Sequence, residues 1–276
     1  MTKVKKSNAA TNTNEEDQVE RTAKLPSRLI YEVIRRDGEE ELDRTMKALL
    51  FSGVAAGLLI SASLLGEAIL VAHLPESSGS FLIENLGYSL GFLLVIVGRL
   101  QLFTENTITT VLPLAADPVP AMFAKVARLW LSVLAANVVG ATCAALFLTQ
   151  SGVVEGAVFQ EIVNISEHAT GFTGTEAFLK AIPAGVLVAA IVWMLPSAQD
   201  SKFALIVAFT WLIAAGDFLH IVAGTVEVAT MVIVGGLSFV DALFRFFLPV
   251  LAGNIVGGTL VFTLLAWAQV KEEVIQ

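Results

Sequence analysis

The sequence has little charge and almost no cysteine. Of its 276 residues only 15% are charged, whereas soluble domains usually carry about 25%. The single cysteine, Cys143, excludes a disulfide within the chain and any metal site built from several cysteines. With 55% hydrophobic residues and a mean hydropathy of +0.75, the composition predicts an all-α polytopic membrane protein.

The sequence motifs of enzymes and of nucleic-acid-binding proteins are also missing. The net charge is −8, and the basic residues do not form a binding face for nucleic acid. The sequence contains no His/Cys/Asp cluster with metal-ligand spacing, no nucleophile elbow and no phosphate-binding glycine loop. We therefore predict that the protein is not an enzyme and uses no cofactor.

The N-terminal 44 residues differ from the rest of the chain. Residues 1–26 are rich in Asn, Thr, Lys and Glu, which predicts a disordered cytoplasmic tail. From Ser27 to Lys47 apolar and charged residues separate onto two faces. This pattern predicts an amphipathic helix that lies on the lipid headgroups and is divided at Gly38. We assign residues 1–44 to this tail and helix, and residues 45–270 to a transmembrane domain.

Apolar segments dominate the transmembrane domain. Six of them are long enough to cross a bilayer, at about residues 46–72, 86–114, 123–148, 177–195, 203–234 and 244–268. Ten of the 17 Lys and Arg residues lie in positions 1–47, and the loops at 73–85 and 149–176 contain none. By the positive-inside rule, both termini are expected in the cytoplasm.

Polar residues interrupt two of these spans. The second is broken by Leu-Phe-Thr-Glu-Asn-Thr at 102–107, and the fifth by Ala-Ala-Gly-Asp-Phe-Leu-His at 214–220. Irregular backbone at membrane depth is tolerated only where it lines a cavity or is buried in protein. Two broken spans in corresponding positions of two halves therefore indicate a permeation site.

An internal repeat relates the two halves. Residues 131–142 match residues 248–259 at an offset of 117, which makes spans 3 and 6 counterparts. With three spans in each half, the two repeats must have opposite orientations, a 3+3 inverted repeat. The same offset places His220 over Phe103. The repeat contains Asn137 and Asn254, which either line a pore or form hydrogen bonds between helices.

Three features together resemble the formate/nitrite transporter family: Leu102-Phe103-Thr104, the second break with Phe218-x-His220, and the six-span repeat. The resemblance covers about residues 45–268 and is strongest for a divergent branch of bacterial inner-membrane proteins. It implies an aquaporin-like fold and a homopentamer in the lipid bilayer. It also implies that each protomer contains a pore for a small monovalent anion, such as formate or nitrite, or for its weak acid.

The resemblance also implies a site. Thr104 would face His220, while Leu102, Phe103 and Ile213 would form an apolar constriction. A small anion entering such a constriction loses several kcal/mol of hydration free energy. An imidazole there is suited to donating a hydrogen bond or a proton. Where family members often carry other residues, this chain has Glu105, Leu219 and Gly224, and His168 replaces a lysine of the outer vestibule.

Charged residues within the spans are candidates for function. They are Glu67, Arg99, Glu105, Asp217 and Glu227. Glu105 and Glu227 either face the pore ionised, which would favour a cation, or are neutral hydrogen-bond donors. Arg99 could instead pair with Glu105 or Asp217 and hold the two broken loops together. Glu67 is expected to reach the membrane interface at the outer end of span 1.

Two other functions fit the same sequence. The pore could serve another small solute, namely a cation, ammonium or a neutral molecule, because acids are frequent and the vestibule lysine is missing. Alternatively, the protein could be a non-conducting membrane scaffold whose N-terminal tail binds a partner.

Overall fold

The structure is a computed structural model, and it describes residues 25–75, 77 and 79–274. All regular secondary structure within these ranges is helical, as the composition predicts. The tail predicted for residues 1–26 lies almost entirely outside the described residues.

Thirteen helices are labelled here in chain order. They are α1 (Ser27–Asp43), α2 (Met46–Leu59), α3 (Ala62–His73), α4 (Ser80–Glu84), α5 (Ser89–Val97), α6 (Phe103–Thr109), α7 (Val111–Ala116), α8 (Pro120–Gln150), α9 (Gly156–Gly171), α10 (Thr175–Ala198), α11 (Lys202–Ala215), α12 (Ile221–Ile233) and α13 (Phe239–Val274). A short 3₁₀ turn, Gln199–Ser201, joins α10 to α11, and α13 contains π-helical segments at Ala242–Phe247 and Val256–Thr263.

Five helical segments in the described part are long and apolar enough to cross a membrane. They are Met46–His73, Ser80–Val97, Pro120–Gln150, Thr175–Ala198 and Phe239–Val274. Two shorter apolar helices, α11 and α12, lie where the sequence predicts a broken fifth span.

The chain is non-helical between α5 and α6 and again between α11 and α12. Both α5 and α11 end in the same motif, in which a residue with positive φ follows the last turn: Arg99 (51°) and Asp217 (52°). The next N–H then bonds back five residues, from Leu100 to Val95 and from Phe218 to Ile213. This is a Schellman ending, made here with side-chain-bearing residues instead of the usual glycine.

These matched endings correct the alignment of the two breaks. Arg99 and Asp217 are 118 residues apart, not 117. The structural counterpart of His220 is therefore Leu102, and each of these residues precedes the first residue of a new helix in extended backbone. The offset of 117 still holds for Asn137 and Asn254, so the first half is one residue longer between the break and its asparagine.

Glycines let the long helices approach closely within the protomer. A Cβ on Gly57 of α2 would overlap the carbonyl of Asn137 on α8, and a Cβ on Gly185 of α10 would overlap the carbonyl of Asn254 on α13. The Gly257 backbone likewise lies against the carbonyl of Ile182. The small-residue motifs therefore serve helix packing inside one chain, where lipid provides no hydrophobic drive for association.

The N-terminal helix differs from its prediction in two ways. It is continuous from Ser27 to Asp43, because Gly38 does not divide it but contacts the chain beneath: a Cβ there would collide with the carbonyl of Thr109. It also packs on protein and does not lie only on headgroups. Its residues Ile30, Tyr31 and Ile34 are buried in one apolar cluster, together with residues of α6, α7, α10 and α13.

Candidate functional site

The two broken segments meet through one side-chain contact. Oγ1 of Thr104 lies 2.7 Å from Nε2 of His220, and both side chains are buried. Nδ1 of the same imidazole accepts the backbone N–H of Ala223 at 3.3 Å. With Nδ1 accepting, a neutral imidazole carries its hydrogen on Nε2 and donates it to Thr104. The hydroxyl hydrogen of Thr104 is then free for another acceptor.

Apolar side chains surround this contact. Leu102, Phe103 and Ile213 are at most 1% exposed and belong to the same core cluster. The ring of Phe92 meets the imidazole of His220 edge-on, with centroids 4.9 Å apart. The sequence predicts the first three residues but not Phe92, because the pattern of α5 does not show which of its residues faces the break.

Two asparagines hold the broken segments in place. Oδ1 of Asn137 accepts the N–H of Phe103 at 2.9 Å, and its Nδ2 donates to the carbonyls of Gln101 and Gly53, each at 2.8 Å. Asn254 does the same in the second half: it accepts from Ile221 and donates to Leu219 and Ala181, all at 2.8 Å. Of the two roles that the sequence leaves open for these residues, the hydrogen-bonding one is observed.

A small cavity lies on one side of His220. Its volume is about 60 Å³, and its lining includes Glu67, Tyr88, Asp217, His220 and Glu227. Glu67 was expected to reach the membrane interface. Its side chain on α3 instead lines this cavity beside the second break. Glu227 lies on α12, about two turns beyond its N-cap His220, and both residues line the cavity.

A larger cavity of about 620 Å³ adjoins the small one through His168 and Phe172, which line both. Nε2 of His168 lies 3.0 Å from Oδ1 of Asp217. The ammonium of Lys180 lies 4.2 Å from the ring centroid of Phe172. Sequence reasoning missed Lys180 because it falls inside a predicted span. Its position one turn into an apolar helix is the available signal for a lysine near a vestibule.

The predicted pairing of Arg99 with Glu105 or Asp217 is wrong for the described structure. Asp217 instead contacts His168, and the exposed Arg99 forms no ion pair with either acid within the ranges given above. One carboxyl oxygen of Glu105 is buried without a hydrogen-bond partner in the same part of the chain. Neither cavity is lined by the other residues predicted for the first break and the constriction, namely Arg99, Leu102, Phe103, Thr104, Glu105 and Ile213.

A polar chain connects the first break to the N-terminal helix. The side-chain amide of Gln101 donates to Glu41 of α1, and its oxygen accepts from Asn106 at 3.3 Å. The guanidinium of Arg44 forms an ion pair with the carboxylate of Glu41, with 3.1 Å between nitrogen and oxygen. The first break is therefore tied to α1 by side-chain hydrogen bonds.

The chain is similar to known channels along most of its length. A family model described as formate/nitrite transporter matches residues 28–268. The inner membrane protein YfdC of Escherichia coli (strain K12) is 44% identical over 91% of this chain and 81% of its own. The formate channel BtFdhC of Bacillus thuringiensis is 27% identical over 83% of this chain and 89% of its own.

Solved structures show the same fold. A pentameric formate channel with formate bound superposes with a TM-score of 0.68 at 22% identity, over 84% of this chain and 98% of that one. A structure described as an FNT family ion channel gives the same TM-score at 21% identity, over 87% and 98%.

Proposed function

The chain belongs to the formate/nitrite transporter family, and from that premise we propose that it is a membrane channel for a small monovalent anion or its weak acid. One pore would run through each protomer of a homopentamer. The bilayer would be the bacterial inner membrane, as for the relative YfdC, with both termini in the cytoplasm. Residues 45–270 would form the channel domain, and residues 1–44 the cytoplasmic tail and helix.

The proposed domain has six spans in a 3+3 inverted repeat, as in aquaporin-like folds. The broken second and fifth spans would be α5–α7 and α11–α12. The Schellman endings at the two breaks and the paired asparagines support this arrangement, because each occurs at the corresponding place in both halves. Helices α6 and α12 would then begin at the same depth in the membrane, from opposite sides.

The observation that carries the proposal is the 2.7 Å contact between Thr104 and His220 at the first turns of α6 and α12. In the proposed pore, Leu102, Phe103 and Ile213 remove water from the constriction. The Thr104 hydroxyl, oriented by the imidazole N–H, donates its hydrogen to the passing solute. An ion that leaves water for an apolar throat is unstable, so the neutral acid is the form that crosses.

Formate flux into lipid vesicles tests this proposal. We expect His220→Ala to change the flux at least about tenfold, because it removes the group that orients Thr104. His73→Ala is the matched control, since His73 is outside the site and bonds only to a carbonyl of its own helix among the described contacts. Equal flux above background in the parent and in His220→Ala would remove His220 from the mechanism.

A second candidate is a pore for a small cation or ammonium, favoured by the acidic lining of the small cavity. Reversal potentials in asymmetric salt separate the two functions. A potential that follows the cation gradient would support this second candidate over the anion channel.

A further inference from the structure

The small cavity beside His220 contains polar groups without partners. Glu227 is 7% exposed and Tyr88 is 6% exposed, and both line the cavity. Within the described residues, neither the carboxyl of Glu227 nor the hydroxyl of Tyr88 makes a hydrogen bond, and the same is true of the carboxyl of Glu67. A buried polar group without a partner costs about 1–3 kcal/mol. Glu227 and Tyr88 are two such buried groups, and the half-buried Glu67 lines the same space, so the cavity is suited to hold a polar ligand.

The size of the cavity limits that ligand. A water molecule takes up about 30 Å³ in the liquid, and the cavity measures about 60 Å³. One or two waters fit, as does a solute of three or four heavy atoms. The cavity lies between the large outer cavity and His220, because His168 and Phe172 line both cavities and His220 lines only the small one.

The geometry of His220 makes it a poor source of a proton for such a solute. Its Nδ1 accepts the N–H of Ala223, and its Nε2 faces Thr104. Releasing the Nε2 hydrogen from a neutral imidazole would leave an imidazolate. A second proton on Nδ1 would break the bond from Ala223. His220 is therefore arranged to orient Thr104, and a weak-acid channel needs a proton donor elsewhere.

We propose that Glu227 and Glu67 form a proton-transfer site that protonates the anion before it reaches Thr104 and His220. This step rests on the proposed function. The O–H bond of the protonated glutamate breaks and its proton bonds to an oxygen of the anion, so that both glutamates are then carboxylates and the solute is a neutral acid. Tyr88 donates a hydrogen bond to the anion and holds it against the pair. Water from the outer cavity then returns a proton to the carboxylate, past His168 and Asp217.

The surrounding groups favour one proton on one of the two carboxyls. Glu67 comes from α3 and Glu227 from α12, and two carboxylates in one small cavity repel each other when both are ionised. The other titratable groups that line the cavity are Tyr88, His168, Asp217 and His220. His168 already contacts Asp217, and Lys180 lies over Phe172. None of the contacts in the described ranges brings a cation to Glu67 or Glu227.

The test uses the full-length protein in vesicles, with labelled formate outside and a pH-sensitive dye inside. The variants are Glu67→Gln, Glu227→Gln and Glu227→Asp. Glu155→Gln is the matched control, an exposed acid that lines neither cavity. We expect both Gln variants to reduce formate flux and the accompanying proton influx at least about tenfold near pH 7, which is less than the roughly 10²–10⁴-fold that a general acid contributes to a reaction. Glu227→Asp should keep most of the parent flux.

Each outcome is decisive for variants whose gel-filtration profile and unfolding curve match those of the parent. Parent-like formate flux and pH profile in both Gln variants would overturn the transfer step while leaving the channel intact. Sodium or ammonium flux that the Gln variants abolish would also overturn it, because the pair would then bind cations. Parent flux no greater than that of protein-free vesicles would refute the proposed function itself, and the transfer step with it.

Infrared spectra provide a readout that does not depend on flux. Difference spectra are recorded between about pH 5 and about pH 8, a range that lies above the ordinary pKa of a carboxyl group. They should contain a protonated-carboxyl band in the parent. Glu227→Gln should remove or shift that band, and Glu155→Gln should not. A spectrum unchanged by Glu227→Gln would show that Glu227 holds no proton and would overturn the transfer step.

Discussion

Replacing Asn254 by leucine should destabilise the protein severely. The side chain is fully buried and makes three hydrogen bonds, each at 2.8 Å, to the N–H of Ile221 and to the carbonyls of Leu219 and Ala181. Leucine is similar in size but forms none of them. The substitution thus removes the side-chain partner of three buried backbone groups without opening a large cavity.

The magnitude follows from those three groups. Each buried polar group left without a partner costs about 1–3 kcal/mol. The two carbonyls belong at the low end of that range, because relaxation or a trapped water can satisfy them. We therefore expect a loss of about 3–6 kcal/mol in the free energy of unfolding. Asn137→Leu should cost the same within about 1 kcal/mol, since its three bonds have matching partners.

Unfolding by increasing SDS in mixed micelles, followed by the fluorescence of the four tryptophans, measures this loss. Asn164→Leu on α9 is the control, because Asn164 is exposed and should shift the free energy by less than about 0.5 kcal/mol. A parent-like unfolding curve for Asn254→Leu, combined with altered ion selectivity, would show that the asparagine lines the pore and that our reasoning is wrong.

Three further predictions concern the N-terminal helix and the first break. Gly38→Leu should undock α1 and expose it to protease, whereas Gly171→Leu, with open space around its Cα, should not. Arg99→Gly should raise the free energy of unfolding by about 1 kcal/mol by relieving the positive φ; a loss of about 3–5 kcal/mol would reveal a buried ion pair instead. The hydrogen bond from Arg35 lowers the pKa of Glu32 from its ordinary value of 4.5 to about 2, so the stabilisation of α1 is complete above pH 4.5 and is lost as the pH falls towards 2. Hydrogen exchange of α1 should show this acid loss, and Glu32→Gln should abolish it.

Sequence patterns were sufficient to predict features that depend on the thickness and the apolar interior of the bilayer. Apolar length predicts the long helices, and a run of polar residues predicts where α5 and α11 must end. The contact between Thr104 and His220 came from the family resemblance and is present in the structure. The first two features rest on local sequence, whereas the third joins two distant segments and was available only through the resemblance.

Contacts between distant segments were not predictable in the same way. The sequence places Glu67 and Lys180 in spans but does not show whether each faces lipid, a neighbouring helix or a cavity. The amphipathic pattern of α1 is equally compatible with lipid and with protein, since both offer an apolar surface. Only the packing of Gly38 against a carbonyl distinguishes them.

The two halves differ in the helix that follows the break. The first half is one residue longer between break and asparagine, and its helix is interrupted between Thr109 and Val111, whereas α12 runs on to Ile233. Pro113 has no N–H to donate to the carbonyl of Thr109, and its ring disfavours a regular turn there. The carbonyl freed in this way is the one that Gly38 contacts. Pro113 therefore leaves free the carbonyl against which α1 packs in the first half.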